Sequence, residues 1–531
     1  MNDQNSSSFT RRNLLSMIGA TTSAAVLYQA MSSLGHAAES DFTDPIKLEG
    51  APKGASVAVL GAGLAGMTAA LELSKAGYKV TVLEYRERAG GRSWTLRGGD
   101  TYTELGGFTQ TCNFDKGLYI NPGPWRIPYH HRALLYYCGQ LGVKLEAFVE
   151  HNVNAYLHHS NAFGGKPQRW RHIMSDYNGY VSELLAKATN ADKLDEPVSK
   201  EDREILLESL RTWGALDKNY KYSAATASAL RGSDKDPGGG PDGAPTPSTP
   251  ISREDILHSR LWSYLNFPLT YEYGQTLFQP VGGMERIAEA FAAKVNHLIT
   301  FNVKVTEIAQ GNDGVTISYS NAKGDGPTQQ LKADWCVCTI PLSVLSQIKA
   351  NFSSSMQAAI EAVPYAPSTK VGLQFKRRFW EQDEAIYGGI SFTDLPIGQI
   401  SYPSTDYLSP GKGVLLGAYV FGVAGVEFTA LAPEDRVKRA LEHGSKLHPQ
   451  MMKEFDNGIA VSWHRVPWTL GCFGMWKQDT RRDHYKNLCA IDGRVVLAGE
   501  HCSYVNAWQE GAILSSLSAI ERLHKRAVGG N

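Results

Sequence analysis

This sequence contains few cysteines, and they are spread thinly along it. The 531 residues include seven cysteines, and no two of them form a C-x-x-C pair. An odd, thinly spread set argues against a disulfide scaffold, and the missing pairs argue against a thiolate zinc site. His130 and His131 are adjacent but have no further ligands at helical spacing, so we expect packing or surface residues. The sequence therefore predicts no metal site.

An excess of one charge sign is also missing. Lys and Arg number 53, and Asp and Glu number 53. Recognition of nucleic acid or of a membrane surface usually needs a strong field of one sign, so we expect no nucleic-acid partner. With 42% hydrophobic and 20% charged residues, the chain is long enough for two globular domains. Small-molecule chemistry is the class that remains.

The beginning of the chain lacks a strongly apolar run. The stretch 14–35 carries no charge, but hydroxyl, amide and glycine residues interrupt it. Arg11 and Arg12 precede it, and small residues near Ala37 suit a cleavage site. This pattern resembles a twin-arginine export signal over residues 1–37. We therefore expect the export machinery as a partner and a periplasmic or secreted location.

A glycine turn between two strands follows in "SVAVLGAGLAGMTAALELSKAGYKVTVLEYRERAGGRSW". The pattern predicts a strand at 56–60, a helix at 64–76 and a second strand at 79–83. The three turn glycines would permit a tight turn, close approach to a pyrophosphate and close helix packing, and an acid would bind the ribose. The predicted dinucleotide contacts are Gly61, Gly63, Leu64, Ala65, Gly66 and Glu84.

The continuation of this unit distinguishes FAD from NAD. Gly90, Gly91 and Arg92 follow closely, in a placement that resembles the extended fingerprint of FAD-binding amine oxidases. Arg92 would supply a cation to the pyrophosphate, with Gly91 beside it. Because a flavin is loaded in the cytoplasm, an exported flavoprotein suits a route that carries folded proteins.

The predicted fold class is α/β, with a discontinuous Rossmann-like FAD-binding domain and an α+β substrate domain. The FAD-binding segments are 50–112, 280–345 and 459–531, and helix and strand patterns place a helix at 284–295 in the second of these. The substrate domain would combine a mostly helical insertion, 113–279, with a strand-rich one, 346–458. Within the first insertion, glycine, proline and small polar residues predict a flexible surface loop at 230–252.

The assembled motifs resemble the flavin monoamine oxidase superfamily and, within it, the L-amino acid oxidases. The landmarks are GAGLAG with its acid and GGR, then PVGGME, STKVGLQFKRRFWE, and LAGEH followed by AWQEGA. The resemblance implies that Arg126, in NPGPWRIPYHH, binds a substrate carboxylate, with Tyr402 in GQISYPS as second donor. It further implies that Lys370 holds a water against the flavin. The alternatives are a structural arginine, a core tyrosine and an outward lysine.

The same resemblance assigns the C-terminal motifs. Glu500 would contact FAD, Trp508 would form a wall of the substrate slot beside Ala507, and the backbone of Gln509 would face the flavin. Further expected contacts are Phe473 for the substrate and Val305 for FAD. We expect non-covalent FAD; a thioether to Cys472 is the alternative, as in some monoamine oxidases.

The predicted reaction is FAD-dependent oxidative deamination of L-amino acids by O₂, with release of 2-oxo acids, ammonia and hydrogen peroxide. The rivals are a polyamine or monoamine oxidase, a dehydrogenase that passes electrons to a quinone, and a non-catalytic FAD-bound partner protein. We expect a homo-oligomer, as a dimer. The preferred amino acid side chain stays open.

Overall fold

A computed structural model describes residues 40–194 and 198–529 of the chain. The predicted export signal, 1–37, lies outside these described residues. None of the helices within the two described ranges is long and apolar enough to span a lipid bilayer.

The first sheet has six strands and joins distant parts of the chain. In spatial order its strands are Ile299–Thr300, Lys79–Leu83, Ser56–Leu60, Trp335–Cys338, Val495–Leu497 and Ile491–Asp492. All neighbouring pairs are parallel except the last, which is antiparallel. A parallel sheet is buried on both faces, which explains the unbroken apolar runs of its central strands.

The glycine turn has the predicted strand, turn and helix. The strands Ser56–Leu60 and Lys79–Leu83 and the helix Leu64–Lys75 confirm the three predicted elements. Gly61 has a φ of +101°, which disfavours other residues. A Cβ on Gly66 would lie 1.9 Å from the Gly61 carbonyl oxygen, so the helix approaches the turn at a distance that only glycine permits.

The second sheet has seven strands and is mainly antiparallel. Its strands, in spatial order, are Gln168–Arg169, Tyr156–His158, Ile390–Thr393, Gln399–Ser401, Gly413–Phe421, Ser368–Phe375 and Phe455–Ser462. The strand Ser368–Phe375 is buried along its whole length because strands pair on both of its edges.

Smaller sheets complete the strand set. The four-stranded sheet is Gln329–Ala333, Gly314–Asn321, Val303–Gly311 and Lys349–Ala350, and the three-stranded sheet is Ile127–Pro128, Leu277–Pro280 and Leu145–Phe148. The two-stranded pairs are Leu96–Arg97 with Tyr119–Ile120, Thr101–Thr103 with Thr109–Thr111, and Ser233–Lys235 with Thr246–Pro247.

Helices cover the sheets and fill the first insertion. Within the described residues, the remaining α-helices are Arg132–Gln140, Trp170–Asn190, Lys200–Trp213, Ala224–Arg231, Arg253–Ser259, Glu285–Val295, Leu342–Leu345, Ser354–Glu361, Phe379–Gln382, Gly422–Thr429, Pro433–Gly444, Met451–Glu454, Gln478–Cys489 and Gln509–Gly529. The 3-10 turns are Phe163–Gly165, Leu261–Tyr264, Phe267–Leu269, Tyr271–Tyr273, Asn296–Leu298, Trp463–Arg465 and Glu500–Cys502. The helix predicted at 284–295 is confirmed, beginning one residue later.

The closing helix Gln509–Gly529 packs against the helix that follows the glycine turn. The Ser516 hydroxyl donates a hydrogen bond of 2.7 Å to the Ala65 carbonyl. The buried carboxylate of Glu510 accepts from the backbone amides of Ala133 and Leu134 at 3.0 and 2.7 Å. An acid at these unpaired amides stabilises the start of the helix Arg132–Gln140. The C-terminal helix thereby braces two elements that border the predicted cofactor site.

The stretch 230–252 is mostly exposed, and both of its ends are held. Its strands Ser233–Lys235 and Thr246–Pro247 form a two-stranded pair. Beside them, the buried Arg231 guanidinium pairs with Asp176 and donates to the Ser248 hydroxyl at 3.1 Å. The expected mobility of this stretch stays a prediction, and the anchored ends limit it to the residues between the strands.

Gly66→Ala should destabilise the folded protein, because the new methyl group would clash with the Gly61 carbonyl rather than with a flexible side chain. We expect a loss of about 3 kcal/mol in the free energy of unfolding, measured by urea denaturation. Gly139→Ala is the matched control, since a Cβ there meets no atom within 4 Å. Equal stability of the two variants would contradict the proposed close approach.

Candidate active site

One large cavity runs from the glycine turn to a cluster of aromatic rings. It encloses about 1670 Å³ of empty space, part of it open to solvent. The predicted site residues that line it are Gly61, Gly63, Leu64, Ala65, Glu84, Gly91, Arg92, Arg126, Val305, Cys472, Phe473, Glu500, Ala507, Trp508 and Gln509. Gly66, Lys370 and Tyr402 lie outside its lining.

The end of the cavity beside the glycine turn is rich in backbone donors. The Glu84 carboxylate is buried and accepts hydrogen bonds from the amides of Ala62 at 2.6 Å and Arg86 at 2.9 Å. A Cβ built on Gly63 meets no atom within 4 Å, so the turn borders open space at the start of a helix. Such a helix start, with an ordered acid beside it, suits a phosphate and a ribose.

Sequence reasoning missed an aromatic pair at this end. The rings of Tyr85 and Trp468 stack with centroids 4.7 Å apart, and both residues line the cavity. Arg86, also in the lining, donates to the Thr469 hydroxyl at 2.7 Å. Tyr85 and Arg86 directly follow Glu84 in sequence, which is the only local signal for them. Trp468 and Thr469 come from a remote loop and carry no such signal.

The middle of the cavity is organised by an ion pair between two predicted residues. Arg92 Nη1 lies 2.8 Å from Glu500 Oε1 and donates to the Cys472 carbonyl at 2.6 Å. Glu500 also accepts from the backbone amides of Gly474 and Ala507, each at 3.1 Å. Gln509, at the start of the closing helix, donates to the Ser93 hydroxyl at 2.8 Å. Residues assigned from separate motifs therefore form one hydrogen-bonded group.

The Cys472 thiol is protonated near neutral pH. Burial raises its pKa to about 11, although Arg92 and Lys370 act in the opposite direction. The thiolate, not the thiol, is the reactive form of cysteine. The position thus lines the cavity without an activated nucleophile.

The far end of the cavity places Arg126 among aromatic rings. The side chain is only 4% exposed, and the guanidinium carbon lies 4.6 Å from the Tyr273 ring centre, 5.3 Å from that of Trp125 and 5.7 Å from that of Trp508. Arginine favours such stacked, poorly hydrated positions. The sequence offered Arg126 and Trp508 but not Tyr273, which arrives from a short 3-10 turn.

Two buried acids accompany Arg126, and sequence reasoning identified neither. Arg126 Nε lies 3.2 Å from Glu150 Oε2. Burial raises the pKa of Glu150 to about 7, and burial likewise raises the pKa of Glu272 to about 8, while Arg126 lowers both. The ion pair shows that Arg126 combines a cavity position with a local acid, so both interpretations offered by the sequence describe part of its surroundings.

Lys370 lies behind the cavity wall. Its ammonium donates to the carbonyls of Gly123 at 2.6 Å and Asn121 at 3.3 Å and sits 4.3 Å from the centre of the Tyr419 ring. Burial lowers the pKa of Lys370 to about 7. The prediction of a buried lysine agrees with this position, since the side chain is only 2% exposed. Its contacts Gly123 and Tyr419 line the cavity, and Lys370 itself does not.

The structure places Tyr402 away from the main cavity, which corrects the expected geometry. Its hydroxyl is hydrogen-bonded to Ser391 Oγ and His448 Nε2, both at 2.6 Å. It borders a second, smaller cavity that shares only Trp125 with the first. The tyrosines that line the main cavity near Arg126 and Lys370 are Tyr273 and Tyr419, and Tyr419 is the cross-strand neighbour of Lys370. Tyr402 is therefore a hydrogen-bonded core tyrosine here.

The histidines His130 and His131 are both buried, and His131 lines the main cavity. Burial, with a contribution from His130, places the pKa of His131 well below its usual range, so this ring is neutral. Its centre lies 5.0 Å from that of Trp508. Among the described residues, no group of three or more His, Cys, Asp or Glu side chains is arranged to hold a metal ion.

The cavity has the chemistry that FAD requires. Open space borders the glycine turn, an ordered acid and a helix start lie at one end, and a buried ion pair spans the middle. A dinucleotide needs these features in this order along its length. The residues present therefore fit the expected cofactor.

Comparisons with known proteins agree with this fit. A family model described as flavin containing amine oxidoreductase matches residues 64–524. An L-amino-acid oxidase from Siganus canaliculatus is 28% identical over 492 residues, covering 89% of this chain and 86% of the relative. An L-amino-acid oxidase from Vipera ammodytes ammodytes is 27% identical over 484 residues, covering 88% and 92%.

The fold comparison is independent of close sequence similarity. The solved structure of cyclohexylamine oxidase from Brevibacterium oxydans IH-35A matches with a TM-score of 0.57 at 16% identity, covering 90% of this chain and 99% of that one. At this identity the likeness bears on fold alone. It confirms the predicted fold class, a mixed helix and strand structure of amine-oxidase type.

Lys370→Met should change the pH dependence of stability. Because the pKa of Lys370 is lowered to about 7 in the folded protein, the unfolded chain binds more protons between that value and the ordinary lysine range. Wild-type stability therefore rises with pH across this window. The stability of the variant relative to wild type should fall by roughly 2 kcal/mol between about pH 6 and about pH 9.

Urea denaturation of both proteins at these two pH values measures this change. The variant also loses the hydrogen bonds that Lys370 donates to backbone carbonyls. That loss lowers stability at both pH values, so it largely cancels when the two values are compared. Lys438→Met, at an exposed lysine of the helix Pro433–Gly444, is the control and should show no such change. An identical offset at both pH values for Lys370→Met would refute a depressed pKa.

Proposed function

The chain belongs to the flavin containing amine oxidoreductases, and from that premise we propose that it oxidises L-amino acids with FAD as its flavin. The products are a 2-oxo acid, ammonia and hydrogen peroxide. The observation that carries the proposal is the buried Arg126 at the aromatic end of the cavity. Two relatives named L-amino-acid oxidase, each matched along nearly its whole length, support the proposal.

Arg126 supplies the recognition that separates amino acids from simple amines. A planar guanidinium binds a carboxylate through two parallel hydrogen bonds, which fixes the orientation of the substrate. The ion pair with Glu150 is made through Nε. The surrounding rings exclude water and thereby strengthen this contact.

The aromatic end of the cavity then positions the rest of the substrate. Trp508 and Phe473 line it, and the carbonyl of Ala507 is the expected acceptor for the amino group. Tyr273 and Tyr419 line this cavity, whereas Tyr402 borders the smaller one. When bound, FAD supplies the two-electron oxidation of the Cα–N bond and the transfer of those electrons to O₂. The protein contributes orientation and a dry surrounding.

Lys370 acts from its buried position beside the cavity lining. Its pKa of about 7 lets the ammonium lose or gain a proton near neutral pH. We place it as the group that holds a water near the reaction site and moves a proton there. We propose that FAD is bound without a covalent link; the raised pKa of the buried Cys472 thiol supports this, because the thiolate is the reactive form.

Arg126→Ala should lower kcat/KM for L-phenylalanine at least about 100-fold, because the oriented carboxylate contact is lost. Activity with 2-phenylethylamine, which has no carboxylate, should stay within about threefold of its wild-type value. The measurements are peroxide release and flavin reduction without oxygen. Arg211→Met, at an exposed arginine of the helix Lys200–Trp213, is the control.

Each rival gives a different result in this assay. Oxidation of 2-phenylethylamine in preference to L-phenylalanine by the wild type would indicate an amine oxidase, with Arg126 structural. Flavin reduction by L-phenylalanine without peroxide under air would indicate a dehydrogenase. A flavin that no amino acid reduces would indicate a non-catalytic protein.

Export by the twin-arginine route is part of the proposal. Arg11 and Arg12 together identify such signals, so the double change Arg11→Lys and Arg12→Lys should retain the protein in the cytoplasm. Flavin content and peroxide activity in cytoplasmic and periplasmic fractions measure the outcome. The matched control is Lys47→Arg, an equally conservative change beyond the leader. Unchanged export of the double variant would refute the route.

A further inference from the structure

The guanidinium of Arg126 is accompanied by two carboxyl groups that the proposed reaction does not use. The Glu150 side chain has no exposed surface; its Oε2 lies 3.2 Å from Arg126 Nε, and its Oε1 has no hydrogen-bond donor. Glu272, only 3% exposed, lies in the 3-10 turn Tyr271–Tyr273; Trp508 donates a hydrogen bond to its carboxyl group, but its Oε1 has no donor. Buried carboxyl groups without donors are expensive unless a charge or a ligand compensates them.

Few other charged groups face this cluster. Lys370 interacts with Arg126 by like-charge repulsion, and His131, packed against Trp508, is neutral. His130 packs against His131 with ring centres 4.9 Å apart and against Tyr271 at 4.6 Å. The rings of Trp125, Tyr273 and Trp508 also lie against the guanidinium. Two acids and at most two cations therefore share a poorly hydrated space.

A substrate carboxylate would bring a third acid into this space. Three anions around Arg126 would repel one another strongly where water is excluded. Burial has already raised the pKa of Glu150 to about 7 and that of Glu272 to about 8, so a further negative charge acts on groups that titrate near neutral pH. Uptake of a proton relieves the repulsion.

We propose that Glu150 and Glu272 take up one proton when a substrate carboxylate binds at Arg126. The inference rests on the proposed function and deepens it, since it makes the two acids positioning residues that set the upper pH limit of substrate binding. While ionised, Glu150 holds Arg126 through Nε. When the pair is protonated, the positive charge of Arg126 becomes available to the substrate.

The expected consequence is a specific pH profile. Above about pH 8, where both acids are ionised before binding, carboxylate affinity should fall by up to tenfold per pH unit. Below about pH 6.5, where the pair already holds protons, affinity should change little. A ligand without a carboxylate should show neither effect.

The test uses the FAD-loaded protein and a carboxylate that cannot be oxidised, 3-phenylpropanoate, with 3-phenylpropan-1-ol as the uncharged counterpart. Flavin absorbance follows binding between about pH 6 and 9.5. Calorimetry in two buffers with different ionisation enthalpies counts the protons taken up. We expect nearly one proton at about pH 8.5 with the carboxylate and none with the alcohol.

Variants identify the groups that take up the proton. Uptake should persist in Lys370→Met, which removes the competing titration of that ammonium, and should disappear in the double variant Glu150→Gln and Glu272→Gln. Glu208→Gln, at an exposed acid, is the control and should behave like wild type. If the double variant does not fold, the wild-type and Lys370→Met proton counts still decide the matter.

The outcomes separate this inference from the proposed function. Carboxylate binding with constant affinity and no proton uptake would overturn the inference and leave the proposed function intact. Uptake that persists in the double variant, or disappears in Lys370→Met, would also overturn it. Failure of 3-phenylpropanoate to bind, while the alcohol does, would overturn the carboxylate clamp and the inference together.

Discussion

The carboxylate of Glu500 joins the first glycine-rich segment of the chain to two backbone amides of the C-terminal segment. It pairs with Arg92 from the first glycine-rich segment and accepts the amides of Gly474 and Ala507. Glu500 is almost fully buried, so removing Arg92 would leave a buried carboxylate without a counter-charge, at a large cost in stability. This arrangement fixes the two ends of the cavity relative to each other.

The cost of burying charged groups also explains the aromatic end of the cavity. Arg126, Lys370, Glu150 and Glu272 all lie where water is scarce. Burial shifts the pKa of three of them, Lys370 downward and the two acids upward, toward neutral pH. A group of buried titratable residues in a cavity is typical of a site that handles charge and protons. Apolar side chains at these positions would stabilise the folded protein more than these charged groups do.

Much of the fold follows from local patterns. The strands and helix around Gly61 and Gly66 lie where the glycines and apolar runs predict them, because a tight turn and a close helix approach each require a residue without a side chain. The mostly helical insertion also contains short strands that local patterns do not reveal. Its short strands Tyr156–His158 and Gln168–Arg169 extend the seven-stranded sheet, and strands of two or three residues leave too little periodicity to identify.

Sequence by itself determined which residues could bind a dinucleotide, since fingerprint positions such as Gly63 and Glu84 act through backbone geometry over a short span. The sequence also identified Arg126 and Glu500 as candidate site residues, through short motifs at recognisable spacings. Only the tertiary structure decided that Tyr419 rather than Tyr402 enters the main cavity, because strand pairing determines which side of a sheet a side chain faces. It alone brought Glu150 and Glu272 to Arg126, since burial and proximity across long loops leave no trace in sequence spacing.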